Sequence, residues 1–139
     1  MTAALRFAGH DISPAAFDDA ARRAAAGFER AGVGDGDVVC IMLHNGPAFL
    51  QALFRPRMLG AFSCPINWHY KADEAGWILS DSGAKVLVTD GPLRAQIEGG
   101  IPPNVAVVTD HSWPHPPWSG EPRKPRMAMP YTSGTTGRA

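Results

Sequence analysis

The residue types best suited to chemistry lie at the end of the chain, in the run Tyr131-Thr132-Ser133-Gly134-Thr135-Thr136-Gly137-Arg138-Ala139. Four hydroxyl side chains and two glycines fall within the six positions 132–137. Glycine lets the backbone turn so that successive N–H groups point at one anion, and each Ser or Thr adds an O–H donor without a competing charge. This pattern predicts a phosphate-binding loop, preceded by a strand in the apolar residues just before it.

The run 131–137 resembles the phosphate-binding motif of the adenylate-forming synthetases, the AMP-binding superfamily of acyl-CoA synthetases, aryl-CoA ligases, luciferases and peptide-synthetase adenylation domains. In that family the motif continues through a small residue or proline into a lysine. Ala139 matches the small residue, and the sequence stops before the lysine. The resemblance implies that the phosphates of ATP are bound by Thr132, Ser133, Gly134, Thr135, Thr136 and Gly137. The alternative is a polar tail that binds no ligand.

Shorter fragments extend the resemblance to nearly the whole chain. They occur in the order found in the N-terminal subdomain of an acyl-CoA synthetase: Ala31-Gly32-Val33, His44-Asn45-Gly46-Pro47, Leu59-Gly60-Ala61, Pro65-Ile66-Asn67 and residues 81–88. The run Asn67-Trp68-His69-Tyr70 is more similar to acyl-CoA synthetases than to adenylation domains. By resemblance, the chain is identified as an N-terminal fragment of an adenylate-forming synthetase, most similar to an acyl-CoA synthetase, that ends at the phosphate-binding loop.

The resemblance implies a two-step reaction. A carboxylate attacks the α-phosphate of ATP to give an acyl-adenylate and pyrophosphate, and the thiol of CoA then displaces AMP. ATP with Mg²⁺ and CoA are the implied cosubstrates, and fatty, aromatic and other carboxylic acids are all candidate substrates. The family's adenine-binding, ribose-binding and Mg²⁺-coordinating residues and its catalytic lysine lie downstream of this loop. No catalytic residue and no metal ligand is therefore assigned in this sequence.

Two expectations concern this chain by itself. We expect it to be an incomplete and inactive part of a ligase. We also expect it to bind ATP no more tightly than about 1 mM, roughly −4 kcal/mol, because a loop without a following strand is costly to order. The alternative is a non-catalytic remnant or interaction module that associates through an exposed sheet edge. Unpaired strand edges and a half-covered core would favour such self-association.

Hydrophobic spacing predicts four helices ahead of the loop. Apolar residues recur every three or four positions after Ser13-Pro14, which predicts a helix that stops at Gly32. A second helix begins near Pro47, and Pro56 predicts a kink or an early end near Arg55. Two shorter helices are predicted at 73–81 and 92–98.

Apolar runs predict four strands, at 38–43, 61–66, 85–89 and 105–109, with the first of them central in the sheet. Strands that alternate with helices indicate an α/β fold of layered βαβ units with a mostly parallel sheet. The predicted division is an α/β subdomain over residues 1–109, a proline-rich connector over 110–127, and the strand and phosphate-binding loop over 128–139.

The segment 102–130 holds eight of the thirteen prolines, which predicts an extended connector that crosses the surface. We expect Trp113 and Trp118 within it to cover part of the domain. The alternative is a preformed proline-rich ligand for another protein. The basic residues Arg123, Lys124 and Arg126 are interpreted as a solvated patch, with an anion site near the loop as the alternative.

The overall composition argues against several other classes of protein. Thirteen basic residues balance thirteen acidic ones, so no net field favours nucleic acid or an anionic membrane. No window approaches the roughly 18 apolar residues of a membrane span, and a cytoplasmic location is expected. Cys40 and Cys64 are interpreted as small buried hydrophobes, with a disulfide or a metal pair as the alternative. The five histidines show no ligand spacing, so no metal site is predicted.

Other catalytic motifs fit poorly. Gly134-Thr135-Thr136-Gly137-Arg138 has neither the spacing nor the lysine of a Walker motif. Gly32-Val33-Gly34-Asp35-Gly36 precedes a strand instead of following one, so it is not a dinucleotide-binding motif. Ser133 lacks the glycine two positions earlier that a hydrolase elbow requires.

Overall fold

The computed structural model describes residues 5–7, 10–124 and 126. The predicted strand and phosphate-binding loop of residues 128–139 lie outside the described residues. Within these residues, six strands are observed: β1 Leu5–Phe7, β2 His10–Ile12, β3 Val38–Ile41, β4 Phe62–Pro65, β5 Val86–Val88 and β6 Ala106–Val108. Four α-helices accompany them: α1 Pro14–Arg30, α2 Pro47–Phe54, α3 Ala72–Asp81 and α4 Gly91–Gln96. Short 3₁₀ turns span Pro56–Leu59 and Glu98–Gly100.

The main sheet has the strand order β4-β3-β5-β6, and all of its neighbouring strands are parallel. This confirms the α/β prediction and the interior place of β3. The antiparallel β1–β2 hairpin was not predicted. Each of its strands has three residues, which is too short to show the two-residue alternation that identifies a strand.

Helix α1 forms for the reasons that its sequence indicates. The Ser13 hydroxyl accepts a hydrogen bond from the N–H of Ala16 at 3.2 Å, and Pro14 occupies the first turn, where its missing N–H removes no hydrogen bond. On its apolar face, Ala24 and Phe28 are fully buried. The predicted helix is confirmed, and it ends two residues before Gly32.

Pro56 ends helix α2 as predicted. The α-helix stops at Phe54, and the chain continues as a 3₁₀ turn that begins at Pro56 itself. Gly60 then closes the turn with φ +80°, a left-handed conformation that a side chain disfavours. The chain then continues directly into β4.

The sheet is covered on both faces, so the expectation of a half-covered core was wrong. Val39 and Ile41 of β3 point into a cluster with Phe28 of α1 and residues of α2. The alternate residues Cys40 and Met42 point into a second cluster with Ile97 and with residues of α3. Because side chains alternate along a strand, β3 and β5 each contribute to both cores.

The two cysteines lie in the second core and are free thiols. The register places Cys40 of β3 directly opposite Cys64 of β4. The hydrogen bond from Cys64 holds the pKa of Cys40 below its ordinary value, and the same contact raises the pKa of Cys64. The prediction of buried free cysteines is confirmed, although the sequence did not show that they are neighbours.

The connector from residue 110 onward packs against α1. Trp113 is buried, with its ring centroid 4.8 Å from that of Phe28. The guanidinium of Arg22 donates to the carbonyls of Trp118 and Gly120, and Arg23 donates to the carbonyl of His115. The expectation that tryptophans of the connector cover the domain is therefore confirmed.

The charged side chain of Arg55 is buried next to helix α1. Arg55 is 7% exposed, and its Nε and Nη2 atoms have no hydrogen-bond partner. Its guanidinium lies 4.1 Å from the centroid of the Phe17 ring. Burial lowers the pKa of Arg55, and the nearby carboxylate of Asp18 opposes that effect. The ring contact and this carboxylate offset part of the cost of burying the charge.

Gly27 provides the first test of the packing. A Cβ at this position would lie 2.5 Å from Cε3 of Trp113. In a helix interior, alanine stabilises the helix by about 1 kcal/mol relative to glycine. Overpacking a buried site destabilises the protein by about 1–3 kcal/mol, which outweighs that gain. We expect Gly27→Ala to lower the free energy of unfolding, measured by urea denaturation. Gly34→Ala is the control, because its Cβ would meet only Asp37 at 3.8 Å. A Gly27→Ala protein as stable as the wild type would contradict this packing.

Candidate functional site

The carboxyl ends of the four parallel strands form one edge of the sheet. In open α/β sheets, ligands bind in the crevice outside this edge. The residues that follow the strands here are His44 after β3, Asn67–His69 after β4, Thr89–Asp90 after β5, and Thr109–His111 after β6. This carboxyl edge is the candidate site that the described residues form.

Three aromatic rings cluster at the end of β3 and β4. The ring centroids of His44 and Trp68 are 4.4 Å apart with an interplanar angle of 52°, and those of Trp68 and His69 are 3.7 Å apart with an angle of 29°. Trp68 is 39% exposed. The cluster presents an apolar ring face with imidazole nitrogens beside it, a combination that suits stacking and hydrogen bonding.

Helix α4 holds the loop after β4 in place. The side-chain amide of Gln96 donates to the carbonyl of Trp68 at 2.9 Å and to that of Tyr70 at 2.8 Å. The Asn67 carboxamide oxygen accepts from the N–H of His69 at 2.9 Å. The position of the exposed ring is therefore fixed by contacts to its backbone. In the sequence, the run 67–70 stood out only by its family resemblance, and nothing in it pointed to Gln96.

Thr89 ties the ends of β3, β5 and β6 together. Its side chain is fully buried, and its hydroxyl donates to the carbonyl of Met42 at 2.8 Å. The Thr89 carbonyl lies 2.8 Å from Nε2 of His111, and the Thr89 N–H donates to the carbonyl of Val108 at 3.0 Å. A buried hydroxyl with a fixed partner stabilises the edge and is not free to act as a nucleophile.

A cavity of about 370 Å³ lies beside β6, lined by Gly27, residues 107–110 and residues 113–115. Asp110 stands at its rim, and its carboxylate accepts from the hydroxyl of Ser112 at 2.7 Å and from the N–H of Ser112 at 3.0 Å. These two bonds hold the pKa of Asp110 below its ordinary value. The Asp110 carboxylate therefore stabilises the turn from residue 110 to residue 112.

The predicted phosphate-binding residues, Thr132, Ser133, Gly134, Thr135, Thr136 and Gly137, lie outside the described residues. The described chain approaches them through Arg126, next to the amino end of β4. Nη2 of Arg126 lies 3.2 Å from Oδ1 of Asp35, and its Nε donates to the carbonyl of Gly60 at 2.7 Å. Arg126 is therefore held by specific contacts, while its side chain is still 40% exposed.

The described residues also bear on metals and membranes. Among residues 5–7, 10–124 and 126, no group of three or more His, Cys, Asp and Glu side chains is placed to hold a metal ion. None of the helices in this part of the chain is both long and apolar enough to cross a membrane.

Comparison with known proteins gives a family for this arrangement. A family model described as "AMP-binding enzyme" matches residues 2–139. The indoleacetate–CoA ligase of Aromatoleum aromaticum is 31% identical, in an alignment that covers 97% of this chain and 30% of that protein. The chain thus spans less than a third of the length of this curated relative.

Two solved structures show the same fold. A fatty acyl-CoA synthetase of Mycobacterium tuberculosis has a TM-score of 0.78 at 26% identity, covering 91% of this chain and 28% of that one. The anthranilate–CoA ligase AuaEII, solved with anthranoyl-AMP, has a TM-score of 0.81 at 24% identity, covering 98% of this chain and 29% of that one. The likeness to AuaEII concerns the fold alone.

Ser112 offers a test of the geometry at this edge. We expect Ser112→Ala to raise the pKa of Asp110 toward its ordinary value, because the variant lacks the hydroxyl donor. Since the folded-state pKa is depressed, the stabilisation from this contact is present above the ordinary pKa and is lost as pH falls through the folded-state pKa. NMR titration of the Asp110 side-chain carboxyl carbon measures the shift, with Ser119→Ala as the control. An unchanged Asp110 titration would show that the turn is not formed this way.

Proposed function

This chain belongs to the AMP-binding enzyme family, and from that premise we propose that it is part of an ATP-dependent acid–CoA ligase. Such an enzyme activates a carboxylic acid as an acyl-adenylate and transfers the acyl group to CoA. The observation that carries the proposal is the match of the family model over residues 2–139, which includes the hydroxyl- and glycine-rich run at 132–137. The similarity of the described fold to a fatty acyl-CoA synthetase supports it.

In this proposal the loop at 132–137 binds the β- and γ-phosphates of Mg·ATP. Its backbone N–H groups and its neutral hydroxyls suit a polyanion whose charge is partly offset by the metal that accompanies it. Holding these phosphates leaves the α-phosphorus open to attack by the carboxylate. The oxygen of the acid forms the new P–O bond, and pyrophosphate leaves with the electrons of the bond that breaks. The loop's contribution is orientation and charge stabilisation.

The acid substrate is proposed only as a small carboxylic acid. The relatives' names include an aromatic acid and fatty acyl groups, which share the carboxylate that is activated. CoA is proposed as the acyl acceptor on the same family basis. The division of the chain at residues 109/110 and 127/128 and a cytoplasmic location stay predictions.

The alternative of an interaction module has less support. It rested on unpaired strand edges and a half-covered core, and the described sheet is packed on both faces. Self-association through a sheet edge stays a hypothesis that no described contact favours.

The loop can be tested with the polypeptide of these 139 residues. We expect Mg·ATP to shift the amide signals of Gly134 and Gly137 with a dissociation constant of about 1 mM or weaker. By resemblance, the adenine- and ribose-binding residues of the family lie downstream of this loop. Thr135→Ala and Gly134→Val should abolish the shifts, as measured by ¹⁵N NMR titration. Ser80→Ala, at an exposed hydroxyl residue of helix α3 outside the carboxyl edge, is the control. Binding that survives both loop variants would contradict the proposed site.

Catalysis gives the second test. We expect the same polypeptide to show no ATP–pyrophosphate exchange with indoleacetate or with a fatty acid, because orientation of ATP alone does not position the acid. The indoleacetate–CoA ligase of Aromatoleum aromaticum serves as the positive control in the same assay. Robust exchange by the 139-residue polypeptide would mean that it contains a complete adenylation site, against our expectation.

A further inference from the structure

Cys40 and Cys64 form a pair of thiols that the proposed ligase reaction does not use. They lie directly opposite each other in the parallel register of β3 and β4. Both side chains point to the same face of the sheet, into the second core, and both are fully buried free thiols. Two cysteines on neighbouring strands, with their side chains on one face, have the placement that a disulfide requires.

The spacing of the strands shows how closely this pair fits a disulfide. Neighbouring strands lie about 4.8 Å apart, which is within the range of about 4.4–6.8 Å between the Cα atoms of bonded cysteines. The Cβ atoms of a disulfide are only about 3.8 Å apart, so β3 and β4 must draw together locally when the bond forms. A bond formed under such strain is readily reduced. The pair is therefore suited to a reversible disulfide.

Ser82 links the thiol pair to the surface of the protein. Its hydroxyl oxygen lies 3.5 Å from Sγ of Cys40, at the end of helix α3, and Ser82 itself is partly exposed. Contacts with Cys64 and with Ser82 lower the pKa of Cys40, and burial opposes them. Contact with Cys40 and burial both raise the pKa of Cys64. Cys40 is therefore the better nucleophile of the two thiols.

We propose that Cys40 and Cys64 are a redox-active pair, which hydrogen peroxide converts to a reversible disulfide between β3 and β4. The sulfur of Cys40 attacks one peroxide oxygen, the O–O bond breaks, and Cys40 becomes a sulfenic acid as water leaves. The sulfur of Cys64 then attacks Sγ of Cys40. The S–S bond forms, the S–O bond breaks, and the departing hydroxide takes the proton of Cys64 to give a second water. Both thiols are oxidised, and the peroxide is reduced to water.

The position of β4 in the sheet gives the peroxide a way in. Among the described strands, β4 pairs with β3 only, so it is an edge strand of the main sheet. Segments with fewer neighbours open locally at a lower free energy than the whole protein unfolds. Local opening of β4 next to the partly exposed Ser82 therefore exposes the pair while the interior strands stay folded. The inference does not depend on the binding of Mg·ATP.

The bond would lie just below the carboxyl edge of the sheet. Cys40 is four residues before His44, and Cys64 is four residues before Trp68. The rings of His44 and Trp68 are in contact, with their centroids 4.4 Å apart. Because β3 and β4 draw together at the cysteines, oxidation also changes the spacing of these rings in the candidate site.

The test treats the folded and fully reduced 139-residue polypeptide with hydrogen peroxide. We expect a monomer whose mass is lower by about 2 Da, the mass of two hydrogen atoms, and we expect dithiothreitol to restore the original mass. Peptide mapping of the oxidised protein should identify a link between Cys40 and Cys64. In the same sample, the NMR signal of the Trp68 indole N–H should shift.

Two serine variants separate local opening from global unfolding. We expect Ser82→Ala to be oxidised at least about threefold more slowly than the wild type, with a similar melting temperature, because Cys40 loses a contact that favours its thiolate. Ser80→Ala, at an exposed serine of the same helix, is the matched control and should react at the wild-type rate. Cys64→Ser should stop at the sulfenic acid of Cys40, detected by mass as a dimedone adduct.

Three results would overturn the inference. One is a folded protein whose thiols stay reduced under conditions that oxidise the same protein in urea, because the buried pair would then be out of reach of peroxide. Another is a disulfide that forms only between two chains. The third is an equal rate in Ser82→Ala and Ser80→Ala, which would mean that oxidation follows global unfolding. An unchanged Trp68 signal in the oxidised protein would overturn the link to the candidate site.

Discussion

The structure depends on the burial of β3 on all sides. This strand has parallel neighbours on both edges, β4 and β5, and apolar cores on both faces. In such a strand every backbone group is paired by a neighbour and every side chain must be apolar. The run Val38–Leu43 meets that requirement, and the helices on either face are placed by it. The carboxyl edge exists because the parallel crossovers bring the ends of the strands together.

Local rules account for the parts of the fold that the sequence predicted. Ser13-Pro14 begins α1, Pro56 ends α2, and apolar runs identify the four parallel strands, because each of these effects acts within a few residues. Contacts between distant residues were not predictable in this way. The packing of Trp113 against Gly27 joins residues far apart in sequence, and neither residue alone indicates the other. The same limit explains why the core was expected to be half covered.

In the candidate site, too, features made of contiguous residues were predictable from the sequence, and features made of distant residues were not. The phosphate-binding motif was recognised because its residue types are contiguous, whereas its geometry lies outside the described residues. The ring cluster of His44, Trp68 and His69 needs the ends of two strands, so only the fold brings it together. Arg126 was interpreted as solvated because a run of basic residues gives no indication that Asp35, some 90 positions earlier, will be beside one of them.

The attachment of the connector to α1 also affects the order in which the molecule can be built. Arg22 and Trp118 are separated by 96 positions, so a ribosome must complete almost the entire α/β unit before their contact can form. Until Trp113 is synthesised, the face of α1 that carries Phe28 lacks one of its covering rings. Contacts with such long sequence separation close large loops and form late in folding. Until the connector docks, this part of the apolar face of α1 is therefore less completely covered than in the folded protein.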